Sequence, residues 1–360
     1  MTARATPDPP GRIAWIDVAK GAGILLVVFG HVWRGCANAG LAIDPAVYAA
    51  VDRAIYLFHM PLFFFLAGLV LDRSLRGRTL TGYARDRAEQ LIVPLLVWSY
   101  ISAAFRVLAG GAANRGDLPL RDILLYPFVA NDIYWFLWAL FLIQVALAAA
   151  LRAPAAGRTA MIGLLVLSLA VVAAGLSIPV VGTALHDLPY LALGYAARTL
   201  ACRRFGRGAG AAGVALFAGA EILALRLAPE GLPGLLTAAA AVIGFTVALA
   251  ALHARFAQSA LARGLAALGA RSMPIYLAHV IALAGARTVA LRLGITGLGP
   301  HLVVGCLAGV LMPLALYRLA GRLGWDAALG FARFRRRPTP SGLQGRAPAL
   351  ATWRARSSAR

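Results

Sequence analysis

Four ionisable residues stand inside otherwise apolar stretches near the amino terminus: Asp17, Lys20 and His31 in RIAWIDVAKGAGILLVVFGHVW, and His59 in YLFHMPLFFFLAG. A charge at the centre of a bilayer costs about 2.5 to 3.5 kcal/mol on insertion scales, so each implies a partner or a task. On a helix Asp17 and Lys20, three residues apart, share a face and can pair. From Lys20 to His31 is eleven residues, which brings the chain back almost to the same azimuth roughly 16 Å further along the axis. One stripe thus links an ion pair to an imidazole, a group that titrates near neutral pH and can act as a general base. His59, on the next and oppositely directed helix, falls at a comparable depth. Either histidine alone would suit a packed core; two at one depth predict a shared polar cavity. Gly21, Gly23 and Gly30 thin the first helix enough for close approach by another helix or by a ligand.

The elements that must position these groups follow from composition. Of 360 residues 61% are hydrophobic and 14% charged, which excludes a soluble globular enzyme and a disordered chain. Three cysteines outside any CxxC arrangement exclude a disulfide framework, a zinc cluster and an iron–sulfur site, and no metal is expected. Runs of about 20 mainly apolar residues, the length that spans ~30 Å of hydrocarbon, occur near 14–33, 54–72, 90–109, 132–151, 160–178, 182–200, 209–228, 232–252, 273–293 and 301–319. The predicted fold is therefore an all-α polytopic membrane protein with about ten transmembrane helices. Connectors on the side of the N-terminus carry fourteen arginines against eight on the other side, and ten more follow from Arg318 onward, so both termini are expected to be cytoplasmic. Polar residues interrupt the first span, which is expected to stay in the mature protein as a helix and not as a cleaved leader.

The domain organisation is read as a short cytoplasmic N-terminus (1–12), a transmembrane domain (13–320) and a basic, disordered cytoplasmic tail (321–360). The net charge of +21 comes from 34 arginines and one lysine set between apolar blocks, a pattern that suits membrane lipid and not nucleic acid. Once the spans are oriented, further polar residues fall at the level of His31. Asp132 and Trp135 open the fourth span, His186 and Asp187 open the sixth, Glu221 lies in the seventh and His301 opens the tenth. Two or three of these are expected to line a site, although Trp135 would also suit an interfacial aromatic belt. The connector DRSLRGRTLTGYARDRAEQLIVP holds five arginines, which orientation alone accounts for. Their guanidinium forks would also suit phosphates, in a chain with no P-loop or dinucleotide fingerprint.

The stretches RIAWIDVAKGAGILLVVFGHVW, YLFHMPLFFFLAGLVL, YARDRAEQLIVPLLVW, YWFLWALFL, LPYLALGY and ARSMPIYLAH together resemble the multipass membrane acyltransferase-3 family, the sugar O-acetyltransferases, including a fucose 4-O-acetylase-like branch. The most specific element is the basic residue, ten-residue spacer and histidine formed by Lys20 and His31. The resemblance implies transfer of an acetyl or other short acyl group from cytosolic acyl-CoA to a hydroxyl of a cell-surface or lipid-linked carbohydrate. Acetyl-CoA is the expected donor substrate, with no tightly bound cofactor, and the bacterial cytoplasmic (inner) membrane is the implied location. It also implies His31 as the catalytic residue with Lys20, paired to Asp17, as its basic partner, and Arg85 and Arg87 at the donor. His279 corresponds to a recurrent histidine of the ninth span. Together with His59, Asp132, Trp135 and Asp187 it is a candidate for acceptor binding. A multipass transporter or exporter of a polysaccharide precursor would show similar spans and is the alternative.

Overall fold

The computed structural model describes residues 13–109, 125, 127, 133–153, 156–176, 178, 180–203 and 205–331. Among these the secondary structure is all helical: α1 (Ala14–Asn38), α2 (Pro45–Leu69), α3 (Leu71–Leu75), α4 (Leu80–Ala109), α5 (Trp135–Arg152), α6 (Gly157–Ala173), α7 (Val181–Ala196), a 3₁₀ turn (Arg198–Cys202), α8 (Arg207–Leu227), α9 (Gly231–Phe256), α10 (Ala260–Gly269), α11 (Ser272–Arg292) and α12 (Leu298–Leu323). Eight of them (α1, α2, α4, α5, α8, α9, α11 and α12) are long and apolar enough to cross a membrane. The chain is an integral membrane protein.

Every one of the ten expected segments contains a helix, but the fifth and sixth are short. α6 has 17 residues and α7 has 16, so at 1.5 Å per residue they reach only about 26 and 24 Å, less than the ~30 Å core. The break has a local cause. Gly175 takes a left-handed φ of 60° just past the end of α6. The expected segments 1–12 and 332–360 lie outside the described residues. Residues 321–331, expected to begin a disordered tail, instead fold back on the bundle. Phe331 is fully buried between Trp98 and Tyr317, at centroid distances of 5.8 and 5.3 Å, and the Trp98 indole N–H donates to the Leu329 carbonyl at 3.0 Å. One aromatic anchor outweighs the polar composition around it.

The surface is inverted relative to a water-soluble protein. Val214, Ile222 and Leu227 on α8 and Val303 and Leu311 on α12 are more than half exposed, a continuous apolar exterior that only lipid can cover. Inside, helices meet through small residues. A Cβ on Gly68 of α2 would overlap the Leu191 carbonyl of α7, and one on Gly194 of α7 would overlap the Phe65 carbonyl of α2. This reciprocal glycine crossing draws the two backbones together, as expected where no hydrophobic force drives helix association. α1 and α2 form the centre. α1 packs on α2, α9, α10, α11 and α12, while α2 packs on α1, α7, α8 and α9. The start of α2 is fixed by Pro45 in its first turn and by the Asp44 carboxylate, which accepts from the Ala46 and Val47 amides at 2.9 and 3.0 Å.

Candidate active site

Four rings from three helices meet where α1 nears its end. The His31 ring of α1 lies 5.0 Å from that of His279 on α11, edge to face at 63°, and 6.5 Å from Tyr56 on α2. Tyr56 in turn stands perpendicular to His59, 4.6 Å away. His31 and His59 each lie against Tyr56 and not on a common cavity wall, and His279 joins from a helix distant in sequence.

Backbone carbonyls fix the orientation of two of these imidazoles. His279 Nδ1–H donates to the Tyr276 carbonyl at 2.7 Å, and His59 Nδ1–H donates to the Ile55 carbonyl at 2.7 Å. A carbonyl only accepts, so in the neutral ring the lone pair must sit on Nε2. The Nε2 of His279 is buried and has no hydrogen-bond partner among the described residues. Two tyrosine hydroxyls hold α11 in place. Tyr134 donates to the Leu277 carbonyl at 2.8 Å, and Tyr276 donates to the Ile133 carbonyl.

Sequence reasoning missed the group that holds Tyr56. Arg34 stacks on its ring with the guanidinium carbon 3.2 Å from the centroid, and both forks of the same guanidinium reach Asp52, Nε to Oδ1 at 2.6 Å and Nη2 to Oδ2 at 2.9 Å. The signal was present in the spacing. Arg34 is three residues from His31, and Asp52 is four from Tyr56, so each pair shares a helix face. Gly30 makes the room, because a Cβ there would press on the Tyr56 ring at 3.2 Å.

Tyr56 also forms one wall of a cavity of about 670 Å³ between α2, α5, α6, α7 and the start of α9. Trp135, His186, Asp187, Tyr190 and Glu230 line it as well. The structure therefore brings Trp135 and Asp187 together and sets them one tyrosine away from the imidazoles. Asp132 lies outside the described residues. Glu221 on α8 and His301 do not join; His301 donates from Nε2 to the Ile295 carbonyl at 2.8 Å and closes the turn before α12.

The other end of the bundle carries the ion pair and the arginines. Lys20 Nζ and Asp17 Oδ1 stand 4.0 Å apart, a helix distance of roughly 16 Å from His31. They cannot touch the same reacting atom. α10 lies directly over them, its Gly269 against the Asp17 carbonyl and its Leu265 carbonyl against Gly21. A depression of about 580 Å³ at the start of α4 is lined by Arg78, Thr79, Gly82, Arg85, Asp86 and Glu89. Arg85 and Arg87 do not face it together, because residues two apart on a helix point to different sides. Arg85 lies in the depression and pairs with Glu89 at 3.2 Å, whereas the Arg87 guanidinium sits 5.3 Å from the Tyr83 ring. The second arginine of the depression is Arg78, bound to Asp86 at 3.1 Å.

Comparison with known proteins bears on what this arrangement does. A family described as an acyltransferase domain matches residues 13–318. The nodulation protein NolL of Sinorhizobium fredii is 32% identical over 133 residues, 34% of this chain and 32% of that protein. NolL of Mesorhizobium japonicum is 30% identical over 131 residues, 35% of this chain and 32% of that protein. The match spans about a third of the length of these curated relatives. No solved structure matches the chain.

Proposed function

The chain belongs to the acyltransferase family whose domain covers residues 13–318, and from that premise we propose that it moves an acetyl or other short acyl group from acyl-CoA to a carbohydrate hydroxyl. The single observation that carries the reading is the His31–His279 pair, in which the buried His279 offers an Nε2 uncommitted among the described residues beside the half-buried histidine of the Lys20–His31 pattern. The hydroxyl oxygen attacks the thioester carbonyl while an imidazole takes its proton. The tetrahedral intermediate then collapses with loss of CoA thiolate, which the same proton can neutralise. His31 is the base, and His279 holds the proton or the hydroxyl in line with it.

The donor enters at the opposite end, with its phosphates at Arg85 and Arg78 and its pantetheine arm crossing the ~16 Å to His31. Lys20 and Asp17 stand at the mouth of that path and position the donor without touching the reacting carbon. The acceptor enters at the His31 end through the cavity bounded by Tyr56, Trp135 and Asp187. With both termini cytoplasmic the donor end faces the cytosol and the acceptor end faces the exterior of a bacterial inner membrane. Gly21, Gly23 and Gly30 give close approach to α10, Phe63 and Tyr56, so the arm passes beside these side chains and not along a bare helix.

The test is the acetyl content of surface glycans in cells that carry wild type or His31→Ala at equal membrane abundance. The variant is expected to lose the acetyl groups. Unchanged acetylation removes His31 from its role.

A further inference from the structure

Two guanidiniums flank the turn of α1 that follows His31, and they differ in one respect. Arg34 is spent on the Asp52 carboxylate and the Tyr56 ring. Arg287 of α11 is only 9% exposed and makes no ion pair or hydrogen bond with any described residue. With no acid beside it among the described residues, an arginine buried in a membrane bundle bears a cost that those residues do not offset.

The surroundings are shaped to hold it. Its Nη1 lies against Gly35, where any Cβ would overlap it, and Leu283 packs beside the same glycine. His279, Leu283 and Arg287 recur every fourth residue, so one face of α11 meets His31 with its first member and Gly35 with its last. Gly35 is one turn beyond His31, which puts the guanidinium about 6 Å along the axis from the imidazole pair. That offset is comparable to the width of a pyranose ring.

We infer that Arg287 is the anion-recognition point of the acceptor site, taking the phosphate or carboxylate of an acidic carbohydrate whose hydroxyl lies at His31. The guanidinium fork matches two oxygens of either group, and a buried charge-assisted pair would supply the partner that the described residues do not provide. The inference rests on the acyl-transfer reading for the placement of the hydroxyl, but anion binding itself can be measured without any transfer.

The experiment uses the full chain in phosphatidylcholine nanodiscs, with thermal unfolding followed in glucose 1-phosphate, glucuronate or glucose at constant ionic strength. The acidic sugars are expected to raise the midpoint and glucose is not. Arg287→Gln should abolish the shift, Arg287→Lys should retain part of it, and Gly35→Ala, whose methyl displaces the fork, should behave like the glutamine variant. Ligand-free midpoints show that each variant is folded. In acetyl transfer from acetyl-CoA, the ratio of kcat/KM for acidic over neutral acceptor should fall about tenfold or more in Arg287→Gln. Equal shifts and equal ratios in wild type and Arg287→Gln overturn the inference. So does a shift produced by phosphatidylglycerol nanodiscs and by neither acidic sugar, since the anion is then a lipid headgroup. Sugar-dependent shifts lost in Arg287→Gln, in a protein that neither hydrolyses acetyl-CoA nor transfers acetyl, would uphold the anion site and overturn the acyl-transfer reading.

Discussion

The imidazole pair can be tested as a pair. Replacing His279 by Asn retains a donor able to reach the Tyr276 carbonyl, so the 2.7 Å anchor survives while the buried Nε2 lone pair is lost. General acid–base groups contribute about 10²–10⁴-fold, or ~2.7 to 5.4 kcal/mol at 1.36 kcal/mol per decade. His31→Ala is placed at the upper end of that range because His31 acts on the hydroxyl itself. His279→Asn is placed near the lower end, about a hundredfold in kcat. Residues that act as a unit are not additive, so the double variant should be no slower than His31→Ala alone. The assay is single-turnover transfer from radiolabelled acetyl-CoA by protein in nanodiscs, with thermal unfolding midpoints to confirm folding. A His279→Asn variant within about twofold of wild type, or a double variant slower by the full product of the single effects, would refute the coupling inferred from the 5.0 Å contact.

Two further consequences concern the scaffold and the donor end. Gly194→Ala drives a methyl into the Phe65 backbone at the α2–α7 crossing and should destabilise the protein by about 1–3 kcal/mol in detergent unfolding; a variant as stable as wild type would mean that the crossing is looser than it stands. Arg85→Ala and Arg78→Ala should each weaken acyl-CoA binding and flatten its dependence on salt, whereas Arg87→Ala should do so less, since its guanidinium lies against Tyr83. Equal effects at residues 85 and 87, read by calorimetric titration, would restore the grouping suggested by sequence alone.

What the sequence disclosed follows from what is local. The helical stripe from Lys20 to His31 needs only the 3.6-residue period, and the Asp17–Lys20 pair needs only a three-residue spacing; both stand as read. The nearness of His31 and His59 needed the additional step of orienting two consecutive helices, and the two rings meet only through Tyr56. Contacts between distant helices were not legible. Nothing near residue 31 announces that the ring facing it is His279, or that Arg287 closes on Gly35, because such contacts arise from the packing of α11 on α1 and leave no periodic trace. Resemblance, and not spacing, brought His279 into view. Resemblance also brought in Arg85 and Arg87, and helical geometry, which sets residues two apart on different sides, leaves only Arg85 in the depression. The return of Phe331 was hidden by averaging, as a single buried aromatic disappears in a window of arginine, proline and serine.

Polar satisfaction gives an independent route to the same locus. Burying a polar group without a partner costs enough that most are paired, so those left over call for a reason. Each histidine around Tyr56 whose Nδ1 is bonded uses a carbonyl of its own helix, a local arrangement that frees Nε2 whatever else surrounds it. Several uncommitted atoms occur in the bundle, including those of Gln144, Thr246 and Glu221, but these three lie on different helices and none belongs to a residue in ring contact with His31. His279 Nε2 is uncommitted among the described residues and belongs to the residue whose ring lies 5.0 Å from that of His31. A purely structural core would have no use for a buried acceptor left open beside one imidazole. A substrate hydroxyl requires such an acceptor, so in the proposed reaction the unfilled bond marks the place of the reacting atoms more sharply than the volume of the neighbouring cavity does.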